Sequence, residues 1–388
     1  MTRFPFQAVV LTTCCVMSTQ PTCAGRADVD AAAAPMQHAD VITLDELIQA
    51  GVERILQLQE GDAHAEWPYE GVYRVPEEGQ RGAVIPIGYR VGGTAICATA
   101  LMHSPGYADD IKRVEAVERA ARFIIDQTQH PLMAFEEIIS NYDVRGWGYT
   151  YGVQFLLQYQ HEDWEEEILA AIEFCLKGIA ATEIPENGGW NYARRGGFDQ
   201  PGPMSPFMTA PTVQTLLLAK TKGFEVDDAM IERGLDALEL ARTESGGYVY
   251  SGTAGPRAND LVPGSIGRMV CAEATLFMAG RSSASDVRGA VDAFFVHWDW
   301  LDKRRAQTGT HVAPYGVAPY YFYFAHYYAA QAIELLPEPE RAEYRRRLRE
   351  VLLRNRLEDG SWNDRVFARS ASYGTAMSIM ALMMKDIE

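Results

Sequence analysis

Apolar positions recur in two different ways along the last fifty residues, and the contrast predicts the architecture of the whole chain. Between Ala342 and Leu357, Leu348, Val351 and Leu352 return at helical spacing while Arg346, Arg347, Glu350 and Arg354 occupy the other side. That is a helix with one face in water. After the turn Glu358-Asp359-Gly360-Ser361-Trp362, the stretch that opens at Tyr373-Gly374-Thr375-Ala376 and ends near Met384 is almost wholly apolar. A helix without a polar face is enclosed on all sides. An amphipathic helix, a Gly-aromatic turn and a buried helix make a unit too small to bury its own apolar face, so it requires copies of itself.

The pattern predicts six such units. The first has an outer helix over 44–59, a turn at Trp67-Pro68-Tyr69 and an inner helix over 92–102. The second runs 110–128, Gly146-Trp147-Gly148-Tyr149, then 152–159. The third has 165–182, Asn187-Gly188-Gly189-Trp190-Asn191-Tyr192 and 210–220, and the fourth 228–243, Ser245-Gly246-Gly247-Tyr248-Val249-Tyr250 and 265–279. In the fifth, 285–304 leads to 319–335 without a Gly-Gly-aromatic turn, and the sixth is the C-terminal unit itself. Each turn opens on Gly, Asn or Asp, which tolerate the left-handed conformation that stops a helix. Alternating runs such as Tyr248-Val249-Tyr250 are too short to predict a sheet.

Alternating amphipathic and apolar helices close into a ring of outer helices around a ring of inner ones. Six pairs predict an all-α (α/α)6 toroid over residues 41–388; the alternative is an open solenoid, whose terminal repeats carry a polar face. The apolar last helix favours closure. Every turn joins an outer-helix end to an inner-helix start, so the inner-helix N-termini all gather at one face. Their partial positive charges and free N–H groups there favour an anionic ligand.

The turns Asn187-Gly188-Gly189-Trp190, Ser245-Gly246-Gly247-Tyr248 and Asp359-Gly360-Ser361-Trp362, with the inner-helix opening Tyr373-Gly374-Thr375-Ala376, resemble those of the prenyltransferase and squalene-cyclase repeat superfamily. The resemblance covers nearly all of 41–388 and implies a terpenoid-cyclase-type toroid with a ligand in a central cavity. The chemistry of that superfamily is not carried over. The D-x-D-D acid of squalene-type cyclases is absent, and the pairs Asp109-Asp110 and Asp227-Asp228 stand at outer-helix starts, where carboxylates stabilise a first turn. At the best match to the prenyltransferase zinc site, Pro263 and Ser265 replace Asp and Cys, leaving His326 as one ligand of three, so no metal is expected. The Gly-Cys-Gly-Glu-Gln thioester of complement-type relatives is also absent. No cofactor is implied.

At 388 residues and 47% hydrophobic content, the chain can bury a large core. A formal charge of −17 argues against nucleic acid and anionic membrane as partners. Arg3, the apolar run 8–17 and Thr22-Cys23-Ala24 read as a signal peptide over 1–24, followed by a linker over 25–40. The run is too short for stable membrane insertion, and the expected location is secreted or periplasmic. Cys97, Cys175 and Cys271 lie in helical stretches and read as small buried residues. Oligomeric state is not legible.

The connecting loops hold arginine almost to the exclusion of lysine, among them Arg145, Arg194, Arg195, Arg365 and Arg369, and Arg268 follows on the fourth inner helix. Arginine forks suit carboxylates and phosphates. The same loops hold Asp143, Asp199, Asp260 and Asp364, so ion pairs within the loops are the alternative reading. Tyr149 stands in the second aromatic turn. On the fifth inner helix, Tyr320, Tyr321 and Tyr323 belong to a broad tyrosine face that needs hydroxyl partners. That face offers stacking platforms for a sugar, or else fills the toroid's centre. His326, on the opposite alanine face, is a candidate acid–base group or a hydrogen-bonded core histidine. Asp143 and Asp260 are candidate catalytic carboxylates, with turn or capping roles as the rival reading.

Three readings stay open. An isoprenoid-handling protein requires a deep apolar cavity with one acid at its base. A carbohydrate-active protein, whether uronate lyase or glycoside hydrolase, requires a polar groove with Arg or a carboxylate pair on its floor. A scaffold or ligand-binding protein requires a filled centre without convergent titratable groups. The expected partner is a small molecule or an oligosaccharide.

Overall fold

A computed structural model describes residues 42–76, 83–136, 144–192, 198–255, 261–309 and 311–386. The expected signal peptide and linker lie outside these residues. Twelve α-helices appear among them, alternating outer and inner. The outer helices are α1 (Leu44–Gln57), α3 (Ile111–Gln127), α5 (Glu165–Thr182), α7 (Asp228–Leu240), α9 (Ala284–Asp302) and α11 (Glu338–Arg354). The inner helices are α2 (Ile87–His103), α4 (Arg145–Leu156), α6 (Pro206–Thr221), α8 (Val262–Met278), α10 (Tyr321–Glu334) and α12 (Ser370–Met383). A two-residue antiparallel pair, Val75–Pro76 with Ala83–Val84, is the one ladder between named strands in the described residues.

The inner helices touch in the order α2, α4, α6, α8, α10, α12 and back to α2. The ring is closed. Each outer helix packs on the inner helix of the unit before it, and α1 completes the circuit by packing on α12. Gly51 allows that last contact, because a Cβ there would stand 2.5 Å from Cγ2 of Ile379. This is the (α/α)6 toroid that the hydrophobic pattern predicts.

The Gly-aromatic turns work as clamps. In units one, three and six, the turn tryptophan donates its indole N–H to a carbonyl near the end of the outer helix: Trp67 to Ile55 at 2.7 Å, Trp190 to Ile179 at 2.8 Å, Trp362 to Leu352 at 2.9 Å. Its backbone N–H goes to a threonine hydroxyl of the inner helix, Thr94, Thr209 or Thr375, at 2.9–3.0 Å. One residue thus satisfies a helix-end carbonyl and ties the two helices of its unit together. Unit four replaces the tryptophan by Tyr248, whose hydroxyl donates to Glu273 of α8 at 2.8 Å while Arg242 pairs with the same carboxylate at 2.7 Å. Gly188, Gly246 and Gly360 carry the left-handed conformation in these turns, with φ of 69°, 81° and 84°.

The second unit departs from expectation. Gly146-Trp147-Gly148-Tyr149 is not a turn; it forms the first two turns of α4. The inner helix of unit one likewise starts at Ile87 rather than residue 92. The glycines there serve contact between helices instead of chain reversal. A Cβ on Gly88 would meet the Val144 carbonyl at 2.2 Å, and one on Gly148 would meet Cα of Gly88 at 3.0 Å. Close helix approach and helix termination call for the same residue, and the sequence alone does not separate them.

The centre of the ring is filled. Trp147 stacks on Phe207 with centroids 5.6 Å apart, Phe207 meets Phe324 at 4.4 Å, and Phe324 meets Tyr328 at 4.5 Å. Below them Gln214 and Gln331 exchange side-chain hydrogen bonds of 2.9 and 3.0 Å. The deep central cavity implied by the family resemblance is replaced by packed aromatic rings.

Candidate functional site

An aromatic pocket lies where the inner-helix N-termini gather. Tyr89 of α2, Trp147 of α4, Phe207 of α6 and Tyr373 of α12 form its base and walls. Tyr69 and Tyr192 from the turns, Tyr320 ahead of α10, the segment 71–73 and Arg365 complete it. The enclosed room is small, about 30 Å³, and the space between the walls out to open solvent is about 490 Å³. The enclosed part is far below the roughly 300–1,000 Å³ of small-molecule sites, so a ligand there sits largely in the mouth. The Tyr69 ring stands edge-on to Tyr89 at 5.4 Å and meets Tyr373 at 4.6 Å.

The repeat itself places the polar groups. Two residues after each clamp aromatic comes Tyr69 in unit one, Tyr192 in unit three and Tyr250 in unit four, but Asp364 in unit six. Tyr69 and Tyr192 line the pocket, and Tyr250 and Asp364 lie one hydrogen bond behind them. Tyr192 shares hydroxyl hydrogen bonds with Tyr250 and, at 3.2 Å, with Tyr320. Tyr320 also meets Nε2 of His311 at 3.1 Å. On the other side, the Tyr69 hydroxyl donates to Oδ2 of Asp364 at 3.4 Å, and Oδ1 has no partner.

Asp364 is completely buried. Burial pushes its carboxyl up to about 7, against the opposing pull of the Arg365 guanidinium. The carboxyl is held by the backbone of its own turn. Asn363 accepts from the Arg365 N–H at 2.8 Å and donates to the Phe367 carbonyl at 3.0 Å, while the Asp364 carbonyl accepts from Ala306 N–H at 3.0 Å. Arg365 is 2% exposed, and its Nε and Nη2 are buried without a partner. A hydroxyl and a cation therefore meet at one wall of the pocket, with a carboxyl that titrates near neutrality buried behind them.

The sequence candidates are dispersed. Asp143, Asp260, Arg194 and Arg195 lie outside the described residues. Arg145 opens α4, donates to the Ala134 carbonyl and lies 5.3 Å from the Phe198 ring centre. Tyr149 is buried behind the inner ring, with its hydroxyl on the Met133 carbonyl and its ring against Gly178 of α5. Arg268 donates Nη2 to the Tyr248 carbonyl at 2.9 Å and lies over Tyr321 at 5.3 Å. Tyr320 lines the pocket; Tyr321 and Tyr323 are buried beside it, and Tyr323 lies close enough to Asp364 to feel its charge.

His326 sits in the core. The Trp298 indole N–H donates to Nε2 at 2.8 Å, and Nδ1 lies 2.7 Å from the Phe322 carbonyl. Those partners make the ring neutral with Nδ1 protonated, and burial pushes its pKa down to about 4. Among the described residues, no three His, Cys, Asp or Glu side chains come together as a metal site, and no helix is long and apolar enough to cross a membrane.

In the sequence, Asp364 and Arg365 stand only among the loop charges, and Tyr69 and Trp147 only among the turn aromatics; none of the four is a chosen site residue. The signal was the register of the repeat: a carboxylate where three other turns carry tyrosine.

No sequence family and no curated protein matches the chain. Solved structures do. The α-1,6-mannanase GH76A from Salegentibacter sp. HEL1_6 superposes with a TM-score of 0.56 at 12% identity, over 88% of this chain and 99% of that one. An inactive variant of that mannanase is described in complex with α-1,6-mannotetrose. An unsaturated glucuronyl hydrolase from Streptococcus agalactiae gives 0.56 at 10% identity, over 88% and 92%. The type II terpene cyclase MstE from Scytonema gives 0.47 at 14%, over 89% and 99%. At these identities the likeness is one of fold, the α/α toroid.

Proposed function

We propose that the protein is a carbohydrate-active toroid that holds a sugar unit in the aromatic pocket, with Asp364 as its acid acting through the Tyr69 hydroxyl. The observation that carries this reading is the substitution of a buried carboxyl for tyrosine at the fourth of these repeat positions, where it meets the pocket-lining Tyr69 hydroxyl. Flat aromatic walls suit the apolar faces of a pyranose, and the Tyr69 hydroxyl can give its proton to a bound oxygen as it takes one from the protonated Asp364 carboxyl behind it. The toroid neighbours that act on glycans support the same reading. The N-terminal pattern supports an exported protein, and the repeated Trp–Thr clamp supports kinship with the prenyltransferase and squalene-cyclase repeat superfamily.

The buried acid beside the pocket favours a second reading, protonation of an isoprenoid. The filled centre opposes it, because packed rings leave no enclosure for a polycyclic hydrocarbon. Isothermal titration of the purified chain with neutral and acidic oligosaccharides, and with isoprenoid alcohols and diphosphates, separates the two. Binding of an oligosaccharide is expected, with Asp364→Asn retaining binding and losing turnover. Isoprenoid binding with no response to any glycan would overturn the proposal.

A further inference from the structure

Arginines elsewhere in this chain show what their side-on edge is for. Nε and Nη2 of Arg90 hold the two oxygens of Glu66 at 2.7 and 2.8 Å. Arg233 holds Glu183 in the same way at 2.8 and 2.7 Å, and Arg288 holds Glu340 at 2.6 and 2.6 Å. Each is a planar two-point match between guanidinium and carboxylate. In Arg365 the same two nitrogens are buried and meet no carboxylate: the guanidinium lies 5.6 Å from the Phe367 ring centre and beside the Tyr69 hydroxyl, neither of which fills the fork, and the residue lines the pocket. The neighbouring carboxyl of Asp364 is turned to Tyr69 instead.

We propose that Arg365 receives the carboxylate of an acidic sugar, so that the unit held in the pocket is a uronate. The inference rests on the carbohydrate reading and narrows it. Buried N–H groups that leave water without a partner are costly, and a bound planar anion satisfies both together. The N-termini of α2, α4, α6 and α12 surround the same space and favour negative charge.

Charge also selects among anions. Arg365 is the one formally charged residue among the described residues lining the pocket. One cation balances one carboxylate; a diphosphate would bring more charge than the wall can neutralise. The chain's net charge of −17 opposes the approach of a long polyanion. Together these favour a single uronate unit at a chain end over a stretch of acidic polymer. The aromatic walls then take the ring, and Arg365 distinguishes a uronate from the corresponding neutral hexose.

The test is calorimetric titration of the full chain with short glucuronate- and galacturonate-terminated oligosaccharides, and with the same compounds after reduction of the carboxyl to an alcohol. The acidic form is expected to bind roughly tenfold or more tightly, equivalent to about 1.4 kcal/mol. Arg365→Gln should erase that preference while binding the reduced form as wild type does. Arg365→Lys should restore only part of it, since a point charge lacks the fork. Binding of the reduced compounds by either variant establishes that its pocket is intact. Equal affinity of the wild type for acidic and reduced sugars overturns the inference and leaves the carbohydrate reading standing. Arg365-dependent binding of inorganic phosphate or an isoprenoid diphosphate, without uronate binding, also overturns it. No response to any sugar removes the carbohydrate reading itself.

Discussion

Asp364 carries the sharpest consequences at the scale of single residues. Its carboxyl is raised from the ordinary 3.8 to about 7 in the folded protein, so the fold prefers the protonated form. The stability it supports is complete below about pH 4 and is lost as pH rises through about 7. Integrated over that range the loss is on the order of 4 kcal/mol. Asp364→Asn keeps an acceptor for Tyr69 without the charge. Its unfolding midpoint is expected to exceed that of wild type at pH 8 and to converge with it near pH 4; parallel curves at all pH values would contradict the assignment. His326 acts in the opposite sense. Its contribution is present above about 6.5 and lost as pH falls through about 4, because its neutral ring is tied to Trp298 and Phe322.

The same carboxyl tunes the pocket. The charged or titratable groups nearest Asp364 are Arg365, Arg305 and the hydroxyls of Tyr69, Tyr323 and Tyr373. Burial keeps those tyrosines neutral, so the local charge changes only when Asp364 ionises. Uronate affinity should therefore weaken between pH 6 and pH 8, and Asp364→Asn should flatten that profile. How much of this was legible is instructive. Arg365 and Asp364 were visible as loop charges, and ion pairing between them was a fair expectation. That their side chains turn apart, one to Tyr69 and one to the pocket, is decided by the Asn363 turn.

At the scale of elements, the Trp–Thr clamp accounts for the stiffness of the units. Trp190 is buried against Gly234 of α7 and bonds to α5 and α6 at once. Trp190→Ala removes the indole bond to Ile179, keeps the backbone bond to Thr209 and opens a large cavity, so a loss of about 3–5 kcal/mol is expected in chemical unfolding. Thr209→Val should lose roughly 1–2 kcal/mol, because the shape is kept while the Trp190 N–H is orphaned. A Trp190→Ala change within error of wild type would show that the clamp is decorative. Outer helices were easy to read, since water on one face leaves a periodic trace; α5 (Glu165–Thr182) has the bounds that the pattern predicts. Inner helices leave no such trace. The start of α4 is displaced because the contact glycine Gly148 resembles a turn glycine.

At the scale of the molecule, ring closure gathers the N-termini and so makes the pocket. The seam between first and last units depends on Gly51 of α1 facing Ile379 of α12. Gly51→Leu places a branched side chain in that contact and should destabilise by about 1–3 kcal/mol, with weakened sugar binding as the ring is forced open. The six-unit count and the shared direction of the inner helices were readable from hydrophobic period alone. The filling of the centre was not, because tyrosine-rich helices suit a wet cavity and a packed core equally well until their neighbours are placed.

The account stands most directly on where a sugar binds. A crystal structure of the chain with a short uronate-terminated oligosaccharide is expected to show the terminal ring among Tyr69, Trp147 and Tyr373, its carboxylate on Nε and Nη2 of Arg365. Density for the sugar on an outer-helix face, or at the end of the ring away from the inner-helix N-termini, would contradict it.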